Sequence, residues 1–116
     1  YAILTNEMTK AWSDMTVKEY KELKNLKKEN LRDNMTNLEL VLNMLAEVTT
    51  TAISKQEKPE TFDNSLHVAK RGGNVAKNAR ADIENQLGHS VISSLNAKDK
   101  TALEIKRNNH EPDADN

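Results

Sequence analysis

The sequence predicts an all-α fold, a bundle of about four to six helices without a sheet. Three observations predict it. The capping pattern Thr-x-x-Glu, preceded by Met, occurs at Thr16/Glu19 and Thr36/Glu39; apolar residues recur at helical spacing along most of the chain; and no two alternating segments are joined by hairpin turn chemistry.

In chain order, residues 1 to 12 form a first helix with Leu4, Met8 and Trp12 in register. The box at Thr16 starts the next, because the hydroxyl takes the amide three residues on and the carboxylate of Glu19 reaches back to the cap amide. Met15 and Tyr20 flank it as a hydrophobic staple, and Val17, Tyr20, Leu23 and Leu26 make its inner face. Lys18, Lys21, Glu22, Lys24 and Lys27 are then expected outside. The same device recurs with Met35, Thr36, Glu39 and Leu40; the likeness of MTVKEY and MTNLEL ends there, so it is one capping solution used twice and not a repeat.

The helix from Thr36 is the most apolar. Leu38, Val41, Leu42, Leu45, Val48 and Ala52 form one face, and Leu40 and Met44 add a second. The run Thr49–Thr51 is β-branched and predicts a bend or restart, and Lys58-Pro59 ends the segment. Thr61 caps a third main helix with Phe62, Leu66 and Ala69, expected to stop at Gly72-Gly73. Asn74 then caps a fourth with Val75, Ala76, Ala79, Ile83 and Leu87 on one face, and Gly88 closes it. Val91, Ile92 and Leu95 anchor a loop, and a short helix is expected from about Asp99 to Lys106. One domain is thus expected over 1–106, followed by an acidic tail, 107–116, whose composition is that of disordered chain.

Charge narrows the partners. Seventeen Lys+Arg against 18 Asp+Glu give a net charge of −1, so no global field draws the chain to nucleic acid or anionic lipid. With no cysteine there is neither disulfide framework nor thiolate chemistry, which agrees with a cytoplasmic location. The longest nearly apolar stretch, Leu38 to Ala46, is too short to cross a bilayer, so no membrane association is expected. Because residue 1 is Tyr and not Met, the chain reads as a piece of a longer protein.

The stretches LKKENLRDNMTNLELVLNMLAEVTTTAISK and FDNSLHVAKRGGNVAKNARADIENQLGHSVISSLNAK, with YAILTNEMTKAW and MTVKEYKELK before them, resemble the distal half of the DNA-damage-inducible protein D family and its prophage-borne relatives. The resemblance covers roughly residues 1 to 98. It implies a bacterial or prophage protein of the DNA-damage (SOS) response that acts on recombinase filaments through protein contacts. In that family an upstream module of the BRO type, like those of phage antirepressors, is the part credited with DNA binding. The resemblance supplies no catalytic residues for this region, and no enzyme activity is expected.

The residues themselves agree with that expectation. His67, His89 and His110 have no i, i+4 pairing, and Glu60 and Asp63, near Glu57, sit where carboxylates complement a helix start. No metal and no cofactor is therefore expected. Residues 64–81 hold Lys70, Arg71, Lys77 and Arg80 without one Asp or Glu. Two readings stand: amides at a helix start after Gly72-Gly73, flanked by Arg71 and Lys77, form an anion or DNA site, or two glycines end a helix beside a solvated face. A full helix-turn-helix fits poorly, since Asn74 and Asp82 occupy positions that such motifs bury. Only Tyr1, Trp12, Tyr20 and Phe62 are aromatic, so base stacking has little support. The second candidate is a partner interface at Leu40 and Met44, against the simpler reading that a central helix is apolar on several sides. Function is therefore expected to be that of a protein-interaction and regulatory module, binding a recombinase, another protein or a second copy of itself. An accessory module that binds DNA weakly and without sequence preference is the alternative, and a metal-dependent nuclease a distant third.

Overall fold

The computed structural model describes residues 2–99 and is all-α: among these residues there is no strand. Four α-helices follow in order, α1 (Ala2–Ser13), α2 (Val17–Leu23), α3 (Asn37–Glu57) and α4 (Phe62–Leu87), with a single 3-10 turn at Arg32–Asn34. The helix expected from Asp99 to Lys106 and the tail with His110 lie outside the described residues, apart from a helical beginning at 97–99.

The starts are as the capping chemistry dictates. Both Thr-x-x-Glu boxes close reciprocally, and Thr61 accepts from the Asn64 amide at the head of α4. The ends follow the left-handed rule: Lys58 (φ 49°) stops α3 before Pro59, and Gly88 (φ 78°) stops α4. Asn25 is also left-handed (φ 59°), and the Leu26 amide donates to Lys21 O while the Asn25 amide donates to Glu22 O. That pair of bonds is a Schellman motif. It ends α2 at Leu23, one turn earlier than the apolar spacing predicts, and turns Lys24 inward.

α3 and α4 form a long antiparallel pair, with α1 laid against α4 and α3. The core joins Trp12, Tyr20, Leu26, Leu31, Met35, Leu42, Ala46, Ala76 and Val91, and the Trp12 and Tyr20 rings meet edge to face at 6.0 Å. Val91 is buried and Ile92 packs beside it, so the segment after α4 is anchored as the sequence predicts.

Two expected breaks are absent. α3 runs unbroken through Thr49–Thr51, because the β-branched penalty is only a few tenths of a kcal/mol per residue and helix packing offsets it. More consequentially, α4 runs unbroken through Gly72-Gly73, so the terminator and the new helix at Asn74 are both corrected. These glycines are buried because two helices press against them. A Cβ on Gly72 would lie 2.8 Å from the Thr50 backbone nitrogen, and one on Gly73 would lie 2.8 Å from Met8 O. Close approach, not chain reversal, is their role.

Candidate functional site

The expected anion site required free amides at a helix start after Gly73. Inside α4 those amides belong to the helix ladder, and the geometry for that site is absent. The cations themselves are placed with partners. Arg71 bonds Glu57 at 2.7 Å, Lys70 lies 3.3 Å from Glu7, and Lys77 lies 3.4 Å from Asp14. Arg80 holds Glu84 at 2.9 Å, reaches Asp14 at 3.7 Å and donates to Trp12 O at 3.2 Å. A run without acid in sequence is thus interleaved with acid in space, from α1, the α1–α2 turn, α3 and the later part of α4. The electrostatics register it: the hydrogen bond from Arg71 holds the Glu57 carboxyl below its ordinary range, and the bond from Arg80, then the Val91 amide, does the same for Glu84.

The apolar helix divides as follows. Glu39, Leu42 and Ala46 are buried, and Leu45 packs against the core from the side. Leu40, expected at an interface, also packs against the core, whereas Met44 is 43% exposed. Leu38 (40%), Val41 (58%) and Val48 (65%) are exposed with it, at the i, i+3 and i+4 spacing that puts them on one stripe. Single exposed apolar residues are ordinary; four on one helix face form a continuous patch. Val75 and Leu87, expected inside on α4, are exposed as well.

Comparison with family models, with curated proteins and with solved structures returns no match. Function must therefore be argued from the surfaces.

One feature of the interior escaped the sequence reading. Lys24, expected outside, is fully buried and pairs with Glu39 at 2.7 Å, both side chains being inaccessible. Its ammonium also donates to Ser93 O at 2.7 Å and Leu95 O at 2.6 Å, so all three N–H groups are satisfied. Glu39 accepts in turn from the Tyr20 hydroxyl, and its Oε1 takes the Thr36 amide at 2.9 Å. Burial first, and the Glu39 carboxylate second, push the Tyr20 phenol far above its ordinary value, so it stays a donor. The group pins the loop after α4: Asn96 donates to Lys24 O at 3.0 Å, and the Ala97 amide donates to Asn34 Oδ1 at 2.9 Å. Its only trace in the sequence is Asn25 directly after Lys24, an αL-tolerant residue that ends the helix and rotates the lysine.

Chemistry elsewhere is sparse. His67 and His89 are exposed, and among the described residues no group of His, Cys, Asp or Glu is arranged to hold a metal ion. Glu57 is engaged by Arg71, and Glu60 and Asp63 flank the head of α4 as their helix-end role predicts. Among the described residues no helix is long and apolar enough to cross a membrane.

Proposed function

We propose that this chain is a non-catalytic interaction module of a cytoplasmic, damage-inducible bacterial or prophage protein, and that it modulates recombinase filaments through protein contacts. The sequence resemblance over roughly residues 1 to 98 supports the setting. The observation that carries the mode of action is the stripe Leu38, Val41, Met44 and Val48 on the outer face of α3. Interfaces place a few large apolar side chains inside a polar rim, and Asn37, Thr51 and Lys55 border this stripe as exposed polar residues. The DNA-binding alternative gains no support from the placement of Lys70, Arg71, Lys77 and Arg80, since each already faces a carboxylate.

Co-sedimentation with recombinase filaments formed on single-stranded DNA tests the proposal. The chain is expected to pellet with filaments, and Val41→Asp/Val48→Asp to stay in the supernatant with unchanged helical circular dichroism and unfolding midpoint. Failure of the unaltered chain to pellet, or pelleting of the variant at full yield, would overturn it.

A further inference from the structure

A second surface is formed by other elements, α1 and α2. Between α1 and α2 runs an open groove of about 820 Å³. Ile3, Val17 and Leu26 supply its apolar lining, and Lys18, Lys21 and Lys27 stand around it. Ile3 is 62% exposed at its edge. The two walls are held together by the Asn6 side chain, whose Oδ1 accepts from the Val17 amide at 2.8 Å. That bond ties the head of α2 to α1, which lowers the cost of ordering the groove on binding.

The charge in the groove lining is mostly of one sign. Lys24, Lys70, Lys77, Arg32, Arg71 and Arg80 are each in an ion pair. Lys18, Lys21 and Lys27 are in none, among the described residues, as are Lys10, Lys28, Lys55, Lys58 and Lys98 elsewhere; the groove differs in gathering three of them in one lining with a single carboxylate, Glu22. A nearly neutral chain thus gathers three lysines against one lining carboxylate around an apolar concavity, Lys21 also feeling the carboxylate of Glu29.

We propose that the α1–α2 groove is a docking site for an acidic amphipathic helix of a partner protein. Apolar side chains at i, i+3 or i+4, and i+7 of that helix enter the groove, and carboxylates on its flanks meet Lys18, Lys21 and Lys27. Charge complementarity selects this occupant. A nucleic acid would match the lysines but leave the apolar floor unfilled, with no aromatic ring in the lining for a base to stack on. A bilayer is met by a convex helix face, whereas this surface is recessed. The proposal uses none of the α3 stripe and stands apart from the filament reading.

Fluorescence anisotropy with two synthetic amphipathic helices provides the test, the two sharing leucines at i, i+3, i+4 and i+7 and differing only in flanking Glu or Lys. The Glu peptide is expected to bind, more weakly as salt rises, and the Lys peptide not to bind. Lys18→Glu/Lys21→Glu should weaken the Glu peptide by roughly tenfold or more, and Ile3→Ser should weaken it too, at unchanged circular dichroism. Lys18→Gln/Lys27→Gln, which only neutralises, gives a second reading of the same dependence. Val41→Asp/Val48→Asp should bind the peptide as the unaltered chain does, which separates this site from the stripe on α3. Equal binding of both peptides, no binding of the Glu peptide, indifference to the groove substitutions, or binding to anionic phospholipid vesicles in place of the peptide would each overturn the proposal.

Discussion

At the scale of single residues, the most consequential position is one whose polarity conceals it. Lys24 lies in a run of lysines and glutamates that reads as a solvated face, yet it is fully buried against Glu39. Taking two charges out of water costs several kcal/mol each, and only the close pair together with the Ser93 and Leu95 carbonyls and the Tyr20 hydroxyl offsets that cost. The asymmetry that follows is testable. Glu39→Gln keeps an amide oxygen for the Thr36 cap but removes the charge, leaving Lys24 buried beside a neutral partner. Urea unfolding is expected to show a loss of roughly 3–5 kcal/mol. A loss below about 1 kcal/mol would mean that water reaches the ammonium and that the pair is not sealed. The apolar identities of the core, by contrast, were legible: Trp12, Tyr20 and Leu42 are buried as their spacing predicts. Spacing reports which face a residue occupies only while the helix continues, and α2 stops at Leu23.

At the scale of elements, starts were more legible than interruptions. A cap is a local bargain between one side chain and two amides, so Thr16, Thr36 and Thr61 announce themselves in sequence. A glycine pair is ambiguous, because the same lack of a Cβ serves a chain reversal or a close helix contact. What discriminates here is the company that the glycines keep. Ala69, Gly72, Gly73 and Ala76 make a strip of small residues at helical spacing, and all four are buried. Gly72→Ala therefore sets two effects against each other. Helix propensity favours alanine by roughly 1 kcal/mol. Against it, the new Cβ would stand 1.9 Å from Thr50 Oγ1 and within 2.8–2.9 Å of the Thr50 nitrogen and Cα. Backbone atoms cannot rotate away, so α3 and α4 must separate, and overpacking of this kind costs roughly 1–3 kcal/mol. A net fall in the unfolding midpoint is expected. Adding Thr50→Ala should not restore it, because the backbone contacts remain. A rise on Gly72→Ala alone would show that the α3–α4 contact has slack.

At the scale of the whole molecule, the feature least legible in sequence is how charge is distributed in space. Residues 64–81 are basic when read along the chain, yet Glu7, Asp14, Glu57 and Glu84 meet their cations in the fold. Pairings between positions 14 to 66 residues apart, such as Glu57 with Arg71 and Asp14 with Arg80, depend on tertiary geometry that no local pattern encodes. The consequence concerns DNA. A phosphate reaching Lys70, Arg71, Lys77 or Arg80 must displace a carboxylate already there, so much of its attraction is spent on undoing an ion pair. Binding of the described fold to duplex DNA is therefore expected to be weak and indifferent to sequence. With about four phosphates contacted at most, the logarithm of affinity should fall with the logarithm of salt at a slope of magnitude about four or less. Removing the competitors should strengthen binding. Asp14→Asn suits the left-handed backbone at that position (φ 65°) and, combined with Glu57→Gln, raises the net charge by two while freeing Arg71 and Lys77 and leaving Arg80 with Glu84 alone. Tighter binding by this double variant at low salt, lost again when Arg71 and Arg80 are also neutralised, is the expected result of a filter-binding titration. Tight binding by the unaltered chain, or a slope well above four, would place the contacts on cations outside α4, with Lys18, Lys21 and Lys27 the set to neutralise next.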